Sequence, residues 1–225
     1  MTLNYKEVIP WGRNLDEYRR MFGLTENDLQ LSILGCGDGP ASFNAEWNEK
    51  GGNATSIDPI YQFSADEIQQ RINESYQEVI HQVKDNMDKF IWNQIPSIEA
   101  LGDIRMEAMQ RFLETYEVEK AKGNYIEGSL PELPFEDDQF DICLSSHFLF
   151  LYSDHLDTDF HLASVSEMLR VAKEVRIFPI LGLNGNLSPH LAKVLEAFSN
   201  SKSEIRTVDY EFQKGANQVL FLSRT

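Results

Sequence analysis

The sequence predicts an α/β fold: a three-layer, seven-stranded, mostly parallel sheet with an antiparallel last strand. Three observations predict it. Residues 31–58 read as strand, glycine-rich turn, helix and strand, which is one βαβ unit. Short apolar runs then alternate with stretches of helical periodicity, the pattern of a parallel sheet covered on both faces. Last, EIRTVDYEF and VLFLSRT flank a short Gly-containing turn, QKGANQ, and read as an antiparallel hairpin.

The elements follow in order. Residues 1–30 form a helical extension, with Asn14 capping the amphipathic NLDEYRRMF and Thr25-x-x-Asp28 opening a further turn. Residues 31–225 form a single domain. LSILG is a buried strand that runs into GCGDG. Pro40 suits a first helical position, and Gly51 and Gly52 stop that helix. NATSID is the second strand. Ile68, Ile72, Tyr76, Val79, Val83 and Met87 then recur at helical spacing. Ile95-Pro96-Ser97 interrupts the run, and a second helix passes through Leu101, Met109, Phe112 and Tyr116. An ordinary crossover needs one helix, so residues 62–123 are a helical insertion between strands two and three, a candidate lid. NYIEG is a short strand and FDICLSSHFLFLY begins as a central one. A helix runs from Phe160 to Ala172, EVRIFPIL is the fifth strand, and Ser188-Pro189 opens HLAKVLEAFSNS.

Composition narrows the function. The 225 residues carry 36 Asp+Glu against 20 Lys+Arg, a net charge of −16 and a pI near 4.6. Such a surface repels phosphate backbones and anionic headgroups, so neither nucleic acid nor membrane is expected as a partner. The start of the chain lacks the apolar core of a secretion signal. Cys36 and Cys143 form no disulfide framework, and a cytoplasmic location is expected.

Gly35, Gly37 and Gly39 alternate between a strand and a helix, where a backbone can turn tightly and approach a ligand. The sixth position of a dinucleotide fingerprint is Pro40, which argues against a nicotinamide dehydrogenase. Asp58 ends the second strand, where an acid can accept both hydroxyls of a ribose. An acid there also serves as a turn or cap residue. His147 follows the central strand. A neutral imidazole there could take a proton from a nucleophile, or simply pack among Phe148, Phe150 and Tyr152. His147, Asp154, His155, Asp157, Asp159 and His161 lack an ordered ligand spacing, so no metal is expected. Arg13, beside Trp11, could reach a carboxylate or form a surface salt bridge.

ILGCGDG, SIDPIY and EGSLPELPFEDDQFDICLSSH together resemble the class I S-adenosylmethionine-dependent methyltransferases, whose sheet is Rossmann-like. The resemblance implies S-adenosylmethionine as cofactor. It implies that the turn from Gly35 to Gly39 passes under the methionine part and that Asp58 holds the ribose hydroxyls. Ile60 would pack on adenine, with Ser129 and Leu130 at its edge, and Ser145 would lie near the methionine amino group. Two positions depart from the family: Ile33 stands where an acid is usual, and Ser129 where Asp is usual. Asp58-Pro59-Ile60-Tyr61 resembles a motif of amino-directed nucleic-acid methyltransferases, but that motif belongs after strand four.

From Gly123 to Leu169 there are no Lys or Arg residues and ten acids, of which Glu132, Asp154, Asp157 and Asp159 are expected near the mouth of the site. A small, neutral or cationic acceptor is therefore expected, methylated on N, O or S. Aminopropyl transfer and non-catalytic cofactor binding are the alternatives.

Overall fold

The computed structural model describes residues 9–224; the start of the N-terminal extension, residues 1–8, and residue 225 lie outside the described residues. The seven strands are β1 (Ser32–Cys36), β2 (Asn53–Ile57), β3 (Tyr125–Ile126), β4 (Phe140–Ser146), β5 (Ala172–Phe178), β6 (Lys202–Thr207) and β7 (Gln218–Ser223). Their order across the sheet is β3-β2-β1-β4-β5-β7-β6. The first five are parallel, and β7 runs antiparallel to both β5 and β6. The order in which strands are laid down reverses at β1 (β1 to β2 to β3 one way, then β4 and β5 the other), which opens a crevice at the carboxyl ends of β1 and β4.

Strand alternation divides the core. Leu34, Cys36 and Cys143 face Val165, Met168 and Val194 of the helices α5 (Thr158–Val171) and α6 (Leu191–Ala197). Ile33, Ile142 and Leu144 face the opposite layer, made by α1 (Leu15–Phe22) and α2 (Phe43–Glu49). The N-terminal stretch is thus no appendage: Tyr18, Met21 and Phe22 of α1 are buried in the main core.

Two long helices stand between β2 and β3: α3 (Ala65–Asp85) and α4 (Ile98–Ala121). Ser64 and Ser97 cap them through side-chain oxygens. Phe112 and Tyr116 of α4 pack on Tyr125 of β3, so α4 acts as the crossover helix. The additional element, α3, lies against α4, where a Cβ on Gly102 would overlap the Tyr76 hydroxyl. Among the described residues, no helix is long and apolar enough to cross a membrane.

Local signals misplace two helix starts. With Pro40 at its first position, α2 would begin three residues earlier than it does. Tyr61 donates its hydroxyl to the Gly39 carbonyl (2.7 Å) and Asp58 accepts the Gly39 N–H (2.9 Å), so Gly39 is held by partners outside the helix. Ser188 does not cap α6, which starts at Leu191; its hydroxyl pairs with Ser153 at 2.7 Å.

A buried ion pair ties these layers together. Arg105 of α4 donates to both Glu17 carboxylate oxygens, each at 2.5 Å, and both residues are almost wholly buried. Replacing Arg105 by Met leaves Glu17 buried without its counter-charge. Urea unfolding is expected to show a loss of about 3–5 kcal/mol, most of it restored when Glu17→Gln is added.

Candidate cofactor and acceptor site

The crevice is a cavity of about 350 Å³. Its floor is the glycine turn, held open by three different means. A Cβ on Gly35 would overlap the Asp38 carboxylate, which folds back beneath the turn. Gly37 has φ of 70°, and the ring of Phe148 lies 3.0 Å from where its Cβ would be. Gly39 has φ of 55° and open space above it. Left-handed backbone of this kind favours glycine.

Two carboxylates define the chemistry of the floor. Asp58 accepts the N–H groups of Gly39 and Ile60, both at 2.9 Å, one on each oxygen. A carboxylate has about four acceptor directions, so each oxygen keeps one for a ligand hydroxyl. Asp38 accepts the Tyr18 hydroxyl at 2.7 Å and the Ser56 hydroxyl at 2.6 Å. Burial pushes both acids up to about 6, against the hydrogen bonds that pull them down. Sequence reading passed over Asp38. Ile33, the position where an acid is usual, is buried in apolar core; the turn supplies a carboxylate from its own fourth residue instead.

The structure brings most of the expected residues together. Gly37, Gly39, Asp58, Ile60, Ser129, Leu130 and His147 all line the cavity, and Gly35 supports it from within β1. Ser145 does not line it. Its hydroxyl is buried without a hydrogen-bond partner, because alternation along β4 turns Ser146 to the cavity in its place. Ser146 Oγ lies 3.1 Å from His147 Nδ1.

His147 has φ of 53°, an uncommon conformation for a residue with a Cβ. Its N–H donates to the Phe178 carbonyl at 2.6 Å, and its ring stands edge-on to Phe178. These contacts fix the imidazole at the end of β4. Burial, then the charges of Arg13 and Arg105, hold its pKa well below the ordinary histidine value. The ring is therefore neutral at physiological pH.

The roof and far wall come from distant parts of the chain. Val79 and Val83 of α3, Leu101 and Arg105 of α4, and Phe90 between them contribute one side. Ile9, Pro10, Trp11 and Arg13 also line the cavity. The Ile9 N–H donates to the Tyr152 hydroxyl at 3.3 Å, Trp11 packs on Tyr76 with centroids 5.9 Å apart, and a Cβ on Gly12 would overlap the Pro40 carbonyl. Of the aromatics in the helical insertion, Tyr76 touches this segment. Tyr116 is core, its hydroxyl donating to the Tyr61 and Phe63 carbonyls. Trp92 stacks edge-on with Phe90 and Phe212. Among the histidines and acids near the end of β4, Asp157 caps α5 and His161 stacks on His190.

The chain is 38% identical to the uncharacterized protein MJ0045 of Methanocaldococcus jannaschii over 223 residues, 99% of each chain. A family model described as a methyltransferase domain matches residues 100–175, from α4 to β5. Solved structures with similar folds include the Burkholderia thailandensis 1,6-didemethyltoxoflavin-N1-methyltransferase with bound S-adenosylhomocysteine. It is 14% identical, with 87% of this chain and 72% of that one covered and a TM-score of 0.45. Another is the Synechocystis magnesium protoporphyrin IX methyltransferase with bound S-adenosylmethionine, 13% identical, with 93% and 90% covered and a TM-score of 0.44. The chain belongs to one family with MJ0045, and its segment from α4 to β5 matches a methyltransferase-domain model.

Proposed function

We propose that this protein methylates a small, largely apolar acceptor enclosed between the glycine turn and the helices α3 and α4. The observation that carries this reading is the division of one cavity into two unlike halves. The half at Gly37, Gly39, Asp58 and Ile60 offers backbone turns, acceptor oxygens and an apolar shelf. The other half presents Val79, Val83, Phe90, Leu101, Phe148 and Phe212. The first suits a nucleoside with a charged tail, and the second suits an apolar body.

The residues fit S-adenosylmethionine, which supplies an electrophilic methyl group when bound. Asp58 keeps one free acceptor direction per oxygen, matching two ribose hydroxyls. Ile60, Ser129 and Leu130 offer the adenine wall. The open face of Gly39 and the left-handed Gly37 leave room for the tail.

His147 stands where a nucleophile would approach. Neutral, with Nδ1 beside Ser146, it can take a proton from a hydroxyl or amine of the acceptor at Nε2. Tyr152 accepts from Ile9 and keeps its own proton for a substrate oxygen. Burial of the whole assembly excludes water and holds the reactants together.

Glu132, Asp154, Asp157 and Asp159, the acids behind the expectation of a neutral or cationic acceptor, are not on the cavity wall. Their charge belongs to the outer surface, so shape rather than positive charge selects the acceptor. The strongly negative protein as a whole still disfavours nucleic acid. A reducing cytoplasm suits Cys36 and Cys143, which sit as free thiols with sulfurs 3.5 Å apart.

Calorimetry with S-adenosylmethionine, S-adenosylhomocysteine, the decarboxylated cofactor and NAD tests the reading. Binding of the first two supports it; no heat from either sinks it, and preference for the decarboxylated form points to aminopropyl transfer. Asp58→Ala is expected to weaken cofactor binding by about 1–3 kcal/mol, and unchanged affinity removes Asp58 from the site. His147→Asn keeps a residue that tolerates left-handed backbone while removing the base. Turnover should fall about 10²- to 10⁴-fold with cofactor affinity kept; full turnover makes His147 structural.

The raised acids set a pH dependence. Asp38 and Asp58 ionise at about 6 in the folded protein, against about 4 when unfolded. Their contribution to stability is present below about pH 4 and is lost as pH rises through about 6. Cofactor affinity runs the other way, rising through the same range as the carboxylates become charged. Titrating both quantities in the wild type and Asp38→Asn checks this: the substitution should flatten the two curves.

A further inference from the structure

Two guanidinium groups, Arg13 and Arg105, stand on the wall of the cavity, and the charge of the buried Glu17 carboxylate acts on both. That carboxylate is fully used. Its Oε1 accepts from Arg105 Nη2 at 2.5 Å and from the Tyr210 hydroxyl at 2.9 Å. Its Oε2 accepts from Arg105 Nη1 at 2.5 Å and from the Asn14 N–H at 3.2 Å. Four acceptor directions meet four donors, which leaves none for Arg13.

Arg13 has little else. Its Nη1 donates to the Trp11 carbonyl at 3.1 Å, and its buried Nε has no partner. Among the described residues it forms no salt bridge, so the surface salt bridge considered from sequence is not made. An arginine stays protonated in a protein, so this is a half-buried cation with no counter-ion among the described residues, an arrangement that costs free energy.

The position of the group is fixed. Asn14 caps α1 immediately after it, Trp11 packs on Tyr76 before it, and Gly12 lies so close to Pro40 that no side chain fits there. Arg13 is thereby held beside the glycine turn and close enough to His147 for its charge to lower the imidazole pKa. A planar fork of donors held on the wall of the cavity matches one chemical group best, a carboxylate. A doubly charged phosphate would exceed the single unpaired positive charge and meet Asp38 and Asp58 on the same floor.

We propose that Arg13 is the binding site for a carboxylate carried by a small molecule in this cavity. The inference rests on the methyl-transfer reading, which allows two sources: the amino-acid tail of the cofactor and an acidic group on the acceptor. In the second case the acceptor is an anion, in place of the neutral or cationic one expected from net charge.

Calorimetry on the wild type, Arg13→Gln and Arg13→Lys separates the outcomes, with thermal unfolding to check that each variant folds. The probes are S-adenosylhomocysteine, 5′-methylthioadenosine (the same nucleoside thioether without the amino-acid tail), and benzoate against benzamide on the S-adenosylhomocysteine-loaded protein. Arg13→Gln should lose about ten- to a hundredfold in affinity for the carboxylate-bearing probe, and Arg13→Lys less. A loss on S-adenosylhomocysteine with 5′-methylthioadenosine unchanged assigns the site to the cofactor tail. A loss confined to benzoate assigns it to the acceptor. Wild-type affinity of Arg13→Gln for S-adenosylhomocysteine, with no Arg13-dependent benzoate binding, overturns the proposal, as does an equal loss on 5′-methylthioadenosine. Should neither nucleoside bind the wild type, the methyl-transfer reading fails instead, and benzoate against benzamide on the unliganded protein still decides the role of Arg13.

Discussion

The carboxylate of Glu17 is the point on which this molecule is assembled. It lies in the first turn of α1, accepts the Asn14 N–H as part of the helix cap, and receives both arms of Arg105 from α4 and the hydroxyl of Tyr210 from the segment between β6 and β7. Three parts of the chain far apart in sequence are therefore joined at one buried anion. Such a pair adds little net stability compared with apolar packing, but it is intolerant of losing either partner. Its effect is positional: it sets the N-terminal helix and the added helical layer at one distance from the sheet, and the cavity is the space left between them.

That arrangement also determines the electrostatics of the cavity. Because Arg105 and Tyr210 saturate Glu17, the charge of Arg13 is not cancelled. The two guanidiniums together add to burial in keeping His147 neutral. On the floor, burial works in the opposite sense, raising Asp38 and Asp58 toward neutrality. The cavity thus holds acids with raised pKa values on one side and a fixed cation on the other. A ligand carrying both an ammonium and a carboxylate, or two ligands of opposite charge, would meet complementary groups without repulsion.

Much of the fold was legible because it is written in local patterns. The β1 strand, glycine turn and Asp58 lie within one short segment, and their chemistry depends on neighbours in sequence. The periodicity of α3 and α4 and the break at Ile95-Pro96 are equally local, as are the side-chain caps at Asn14, Ser64 and Ser97. Errors arose where a distant partner overrode a local preference. Pro40 does not start α2 because Asp58 and Tyr61 hold Gly39 in the turn. Ser146 takes the place expected for Ser145, a single step in strand alternation that follows from how β4 pairs with β1 and β5.

The sequence by itself determined the sheet and the glycine turn with Asp58 at the neighbouring strand end, since glycine conformational freedom, apolar periodicity and an acid at a strand end act over a few residues. Only the tertiary structure decided which groups face the rest of the cavity. The net charge of −16 pointed to a neutral or cationic acceptor, yet the acids that suggested it lie off the cavity wall and an unpaired arginine stands on it. Net charge sums the whole surface, whereas a buried site responds to the few groups that face it at low dielectric. Which groups those are was settled by contacts such as Glu17 with Arg105, 88 residues apart, and Glu17 with Tyr210, 193 apart.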